Sequence, residues 1–325
     1  MSEPDQDVKV VVHDAEPAPL IDELRRHHPD VSVMPCDSYD GLGAVLESFR
    51  PDVVFTVRFA GTPNFPTREL LGLSGPKWIS VGGSGVDHLG QWDSRKTTVT
   101  NAAGVAAGMM AEYVMGSILH FTLDVPGLER DRENRIWAGR MMTPIEGKNL
   151  LIVGLGHSGE AIAKRAKAFG LRVTGVRAHP RATANVDQVY ATGELKNLWA
   201  DADFIVICAP LLEATRGLVN AAAFKVMKPG AVLVDISRGG IVCHSALLDA
   251  LQSQRLAGAA LDVFETEPLP AENPLWQLNN VLISPHCSSV FKGWELASVR
   301  MFADNLTRWR KGEALFNLVD PARGY

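Results

Sequence analysis

No apolar run in this sequence approaches the roughly 20 residues that a helix needs to cross a bilayer. The acidic opening, MSEPDQD, has neither the basic nor the apolar part of a secretory leader. A cytoplasmic protein without a membrane partner is therefore expected. Cysteine is sparse: Cys36, Cys208, Cys243 and Cys287 are widely scattered and lack the paired spacings of zinc sites and disulfide frameworks. They are read as free thiols, and no metal is expected. Excess positive charge is also lacking. A formal net charge of -5 gives little electrostatic support for binding nucleic acid or an anionic membrane surface. A small anionic ligand would need local arginine. Neither a short internal repeat nor a low-complexity tract is found, which excludes a solenoid and a long disordered linker.

What remains is an ordinary globular composition, 46% hydrophobic and 21% charged. The 325 residues exceed the usual single domain of about 100–200, so two domains with a cleft are expected. Short β-rich runs alternate with amphipathic stretches from VKVVVHD through APLIDELRRHH, VSVMP, GLGAVLESF and DVVFTVR to KWISVGG. Alternation of this kind indicates an α/β layer fold on a parallel sheet. After Asn101, AAGVAAGMMAEYVMGSILHFTL is long enough for a helix that passes from one domain to the other, ending near Pro126. A second series runs through NLLIVGLG, LRVTGVR, DFIVICAP, AVLVDIS, LAGAALDVF and NVLISPH. The stretch VFKGWELASVRMFADNLTRWRKG reads as one more long helix, and ALFNLVDPARGY as a segment that returns to pack elsewhere. The fold class is thus α/β with two doubly wound parallel-sheet domains, the second (101–289) inserted within the first (1–100 with 290–325).

Gly154, Gly156 and Gly159 form G-x-G-x-x-G, a weak signal alone in a chain with 29 glycines. Its context strengthens it, because it follows the apolar strand LLIV and opens the helical stretch SGEAIAKRAKAF. The first glycine permits the tight turn, the second lets the backbone approach a pyrophosphate, and the third lets the helix pack on its strand. Helix N-terminal amides of His157 and Ser158 then face the phosphates. The inserted domain is accordingly expected to be of the Rossmann type. Where an NAD enzyme places an acidic residue for the ribose 2′-hydroxyl, at the end of RVTGV, the sequence reads Arg177, Ala178, His179, Pro180, Arg181. Two guanidinium groups suit a 2′-phosphate, which favours NADP over NAD. The competing reading is a pair of solvated arginines beside a site that tolerates either cofactor.

Three further segments lie at strand ends of the second series: VDISRGGIV with Arg238, LDVFETEPLP with Glu267 and LISPHCSS with His286. Ligands of open α/β sheets gather at such carboxyl ends. With the glycine motif, and in this order and spacing, they resemble the signatures of the D-isomer-specific 2-hydroxyacid dehydrogenase family over nearly the whole chain. The resemblance implies a flavodoxin-like first domain that binds substrate. It also implies that His286 exchanges a proton with the substrate oxygen while hydride moves at C2. Glu267 would hydrogen-bond the other imidazole nitrogen, orienting the ring and favouring its charged form. Arg238 would fork onto the substrate carboxylate and carbonyl.

Other positions follow from the same resemblance. Ser84 and Gly85 in ISVGGSGVDHLG look like the loop whose amides hold the substrate carboxylate, and Arg58 resembles a substrate-contacting arginine. Met110 would sit near the nicotinamide, Ala209, Pro210 and Thr215 would line the adenine side, and Asp262 would face the carboxamide. Cys287, Ser288 and Ser289 depart from the small apolar or glycine residues usual after the histidine, which suggests a more polar pocket. Trp137 and Trp294 are candidates to line it, against an ordinary packing role.

The expected activity is reduction of a small 2-oxo acid, glyoxylate or hydroxypyruvate, by NADPH, in a homodimer. A larger 2-keto sugar acid, or a branched or aromatic 2-oxo acid, fits the same three residues. Glu267 argues against formate dehydrogenase chemistry, which lacks that partner. A dinucleotide-sensing interaction protein of the same fold is the reading from a different class, and a Rossmann methyltransferase leaves Arg238, Glu267 and His286 unexplained.

Overall fold

A computed structural model describes residues 8–59 and 62–321. The acidic opening through Asp7 and the closing residues 322–325 lie outside them. The chain divides into two compact units, Met1–Val105 with Phe291–Tyr325, and Ala106–Val290.

The first unit is built from β1 (Lys9–His13), α1 (Pro17–His27), β2 (Ser32–Cys36), α2 (Tyr39–Phe49), β3 (Val53–Thr56), α3 (Thr67–Leu70), β4 (Trp78–Val81) and β5 (Thr98–Asn101). All its strand pairs are parallel, in the order β2-β1-β3-β4-β5. β1, β3 and β4 are buried at all positions or nearly so, since helices cover both faces of a parallel sheet. β5 was not anticipated from sequence. Its TVTN is short and polar, and it forms because β4 pairs along one side while the chain's end pairs along the other: Asn101 N–H donates to Asn317 O and Val319 N–H to Val99 O. That returning segment is the ALFNLVD stretch.

The second unit holds α4 (Ala107–Thr122), α5 (Val125–Asn134), β6 (Asn149–Val153), α6 (His157–Ala168), β7 (Arg172–Val176), β8 (Gln188–Tyr190), β9 (Phe204–Ile207), α7 (Ala221–Val226), β10 (Ala231–Asp235), α8 (His244–Gln252), β11 (Leu256–Leu261) and β12 (Val281–Ile283). Its seven strands run parallel in the order β12-β11-β10-β9-β6-β7-β8. The order reverses between β6 and β9, and open α/β sheets bind ligands at such a switch point. Two apolar clusters fill the two faces, one around Ile205, Leu233 and Leu261, the other around Ile118, Ile152 and Val234. β8 was likewise not anticipated, because QVY is short and lies at the sheet edge.

The apolar stretch after Asn101 becomes helical only from Ala107, and α5 restarts behind it with Pro126 in its first turn, where the missing N–H costs nothing. The last long helix, α9 (Trp294–Lys311), returns to the first unit and packs Val299, Phe302 and Leu306 against β1, β3 and Trp78. It starts at Trp294 rather than Val290, since residues 287–290 close a turn first.

Candidate active site

The glycine motif occupies the switch point. Gly154 follows β6 with φ +108°, a conformation that glycine adopts without strain. A Cβ there would stand 2.8 Å from the Ala209 amide nitrogen, so the turn after β6 lies against the chain leaving β9. A Cβ on Gly159 would overlap the Gly154 carbonyl oxygen, which is how closely α6 packs on its strand. A Cβ on Gly156 would meet nothing within 4 Å. The motif therefore has two glycines forced by packing and one facing open space, where a pyrophosphate would approach the start of α6. Gly156 caps that helix without any side-chain hydrogen bond, so its first turn keeps the partial positive charge that attracts phosphate. His157 is exposed there, and Ser158 donates to Met110 Sδ at 3.3 Å, tying α6 to α4.

Arg177 follows β7. Its buried Nη1 has no hydrogen-bond partner among the described residues and stands 3.7 Å from Glu160 Oε1. Arg181 is exposed. A guanidinium held beside the glycine turn by strand pairing, with an Nη1 that makes only a long ion pair to Glu160 and no hydrogen bond, has donor capacity left for an anionic group, so these residues fit a dinucleotide. Pro210 is exposed, whereas Ala209 and Thr215 are buried. The Thr215 hydroxyl donates to Pro210 O at 2.7 Å and accepts from the Leu212 amide at 2.8 Å, which braces the loop after β9 from within.

Glu267 and His286 come together although 19 residues separate them: His286 Nδ1 pairs with Glu267 Oε2 at 2.9 Å. The other carboxylate oxygen accepts the Phe264 amide at 2.9 Å, so the carboxylate is oriented before it orients the ring. Both side chains are over a third exposed, leaving the far side of the imidazole open to a ligand. Arg238 lies beyond β10 and donates from Nη1 to Ser237 O at 2.7 Å. Its neighbour Gly239 packs directly on the Phe264–Glu265 backbone, which brings the arginine turn against the loop that carries Glu267.

Sequence reading missed how polar groups hold this arrangement. Asp262, 1% exposed, accepts from the amides of Cys287 (2.9 Å) and Ser288 (3.1 Å) and from the hydroxyls of Ser284 and Ser288 (both 2.5 Å). Tyr113 OH lies 2.8 Å from Ser284 Oγ. The only clue in the sequence was a set of polar residues at the ends of otherwise apolar strands. These bonds take Ser288 out of the three residues expected to make the pocket more polar, since it is buried and turned onto Asp262, whereas Cys287 is exposed and Ser289 half-buried. Asp235, just ahead of Arg238, is pushed up to about 7 by burial, against hydrogen bonds from Ser237 and with a contribution from the nearby Asp262. Burial raises the Cys208 thiol to about 12, so it stays an inert thiol. All four cysteines are free, and the described residues contain no cluster that would hold a metal.

In the first unit, the carbonyl oxygens of Gly82, Gly83 and Ser84 are turned inward to Ser298 Oγ, Ala102 N and Asn101 Nδ2. The loop through Ser84 and Gly85 therefore presents its other edge outward. Arg58 is exposed at the end of β3. Trp294 packs on the first unit's core, as the packing reading required, and Trp137 is fully exposed.

Comparison with known proteins agrees with this geometry. The model of the D-isomer specific 2-hydroxyacid dehydrogenase, NAD binding domain, matches residues 115–288. A glyoxylate reductase of Thermococcus gammatolerans is 31% identical, with 96% of each chain covered. A D-isomer specific 2-hydroxyacid dehydrogenase family protein of Aeromonas salmonicida superposes with a TM-score of 0.86 at 30% identity, covering 97% of this chain and all of that one. The enzyme of Xanthobacter autotrophicus, solved with NADPH and MES, gives 0.84 at 28% identity, covering 98% of this chain and all of that one. Matched over more than half its length by the family model, and over nearly all of it by these relatives, the chain belongs to the D-isomer-specific 2-hydroxyacid dehydrogenase family, a family of NAD(P)-linked oxidoreductases.

Proposed function

We propose that this protein reduces a small 2-oxo acid, glyoxylate or hydroxypyruvate, to the 2-hydroxy acid with NADPH. The observation that carries the reading is the pairing of His286 Nδ1 with the pre-oriented Glu267. It leaves Nε2 as the nitrogen that gives a proton to the substrate oxygen, and takes it back in the reverse direction. Bound NADPH supplies the hydride. Arg238 holds the carboxylate and polarises the carbonyl with its planar fork, a geometry that lysine does not provide. Gly154, Gly156, Gly159, His157 and Ser158 take the pyrophosphate, with Ala209, Pro210 and Thr215 beside the adenosine, and Met110 and Asp262 towards the nicotinamide. Arg177 and Arg181 select the 2′-phosphate, supported by Arg177 Nη1, which makes no hydrogen bond among the described residues and only a 3.7 Å ion pair with Glu160.

The second unit is accordingly the cofactor domain and the first the substrate domain, in which Arg58, Ser84 and Gly85 contact substrate. Their assignment rests on the resemblance in sequence. Leu128, Ile136, Trp137, Met141 and Met142, exposed on α5 and the segment after it, supply an apolar surface for a second copy of the chain. Four free cysteines accord with a cytoplasmic enzyme. Among the described residues, no helix is long and apolar enough to cross a membrane.

The test is a steady-state panel of 2-oxo acids against NADPH and NADH. Glyoxylate or hydroxypyruvate turned over fastest with NADPH is the expected outcome. Preference for a sugar, branched or aromatic 2-oxo acid would replace the substrate assignment. Bound NADPH with no turnover across the panel would favour a dinucleotide-sensing protein.

A further inference from the structure

We propose that Ser288 is a positioning residue for His286, acting through the buried carboxylate of Asp262; the inference deepens the reading of His286 as proton donor. His286 has φ +51°, the left-handed region that non-glycine residues seldom occupy. A conformation of this kind persists only where its surroundings hold it. Here the hold is visible. The His286 amide donates to Asp262 O at 2.9 Å and to Ser284 O at 3.0 Å. The next two amides, Cys287 and Ser288, point at the Asp262 carboxylate. The turn thus closes around one side chain, with His286 at its apex.

The two carboxylate oxygens are not equally secured. Oδ1 accepts from Ser284 Oγ and from the amides of Cys287 and Ser288, and Ser284 is itself backed by Tyr113. Among the described residues, Oδ2 accepts only from Ser288, through its hydroxyl at 2.5 Å and its amide at 3.1 Å. Ser288 is 2% exposed, so no bulk water replaces the hydroxyl when it is removed. A buried carboxylate short of a donor is costly and turns to find another. Here that rotation withdraws Oδ1 from the Cys287 amide, freeing the apex of the turn. The imidazole then loses its fixed relation to Glu267, although neither catalytic side chain has been altered.

The experiment compares Ser288→Ala and Ser288→Thr with the wild-type chain. A displacement of about 1 Å at a reacting group costs on the order of 100-fold in rate. Ser288→Ala is expected to lower kcat between about 10- and 100-fold while the dissociation constant for the adenosine half of the cofactor, read with 2′,5′-ADP, changes less than about twofold. Ser288→Thr keeps the hydroxyl and is expected to recover most of the lost kcat. Spectra of protein labelled with 15N-histidine read the same point without turnover: the Nδ1 proton shared by His286 and Glu267 is seen in wild type and Ser288→Thr, and is lost in Ser288→Ala. A protein in which Ser288 merely packs would show a lower thermal midpoint with unchanged kcat below it and an unchanged His286 signal; that result overturns the proposal. If Ser288→Ala does not fold, Ser288→Cys, a weaker donor of similar size, is expected to give an intermediate loss of kcat and of the signal, and wild-type values for both overturn the proposal. Wild type without turnover on any 2-oxo acid would instead sink the assigned reaction, and the histidine spectra would still decide the role of Ser288.

Discussion

Replacing Gly239 by alanine adds one methyl group where the backbone leaves no room for it. A Cβ at this position would overlap the carbonyl of Phe264 and lie 2.7 Å from the Glu265 amide nitrogen. Neither obstacle is the far end of a flexible side chain. The Arg238 turn and the 264–267 loop must therefore separate by roughly 1 Å or more to regain van der Waals contact. Overpacking of this kind costs about 1–3 kcal/mol of stability. Because the two segments carry Arg238 and Glu267, the same shift should lower kcat by on the order of 100-fold, equivalent to about 2.7 kcal/mol in the barrier. The sign is diagnostic, since φ at Gly239 is not in the left-handed region, and an alanine at an unobstructed glycine stabilises by about 0.4–1 kcal/mol. Gly193→Ala is the matched control, because its added Cβ meets nothing within 4 Å. The assay is kcat with glyoxylate and NADPH, together with denaturant unfolding of both variants. Gly239→Ala as stable and as fast as Gly193→Ala would refute the packing that joins the arginine turn to the glutamate loop.

Further expectations concern single groups. His286→Asn should reduce kcat by several orders of magnitude with NADPH affinity nearly intact, and wild-type turnover would remove it from the chemistry. Neutralising Arg177 and Arg181 together should raise KM for NADPH far more than for NADH, whereas equal changes would contradict recognition of the 2′-phosphate. Asp235 keeps its proton up to about pH 7 in the folded chain, but an ordinary carboxyl loses it near 3.8, so the folded state binds the extra proton between these values. Its contribution to stability is therefore lost as pH rises from about 4 to 7 and stays lost above. Asp235→Asn should remove that slope and raise the thermal midpoint at pH 8 relative to wild type; an unaltered slope would contradict the burial argument. Trp137→Ser combined with Met141→Ser should shift the mass seen by light scattering from dimer towards monomer, and an unchanged mass would move the interface elsewhere.

Much of this protein was legible in its sequence because its strong signals are local. Strands such as β6 and β9 are buried on both faces and read as unbroken apolar runs, and a helix after G-x-G-x-x-G needs its glycines within six residues of one another. The order of the Arg238, Glu267 and His286 segments was equally readable. What escaped depended on partners distant in sequence. β5 is polar and exists only by pairing with β4 and with a segment more than 200 residues away, and β8 is a three-residue edge strand held by β7. Ser288 read as a sign of a polar pocket, yet the fold turns it inward onto Asp262, 26 residues earlier in the chain. The sequence by itself determined the layers, the glycine turn and the chemical groups available near it, through periodicity and local backbone requirements. Only the tertiary structure decided which buried polar atoms satisfy one another, and hence how His286 is held, because a buried hydrogen bond depends on distances between strands that no local pattern encodes.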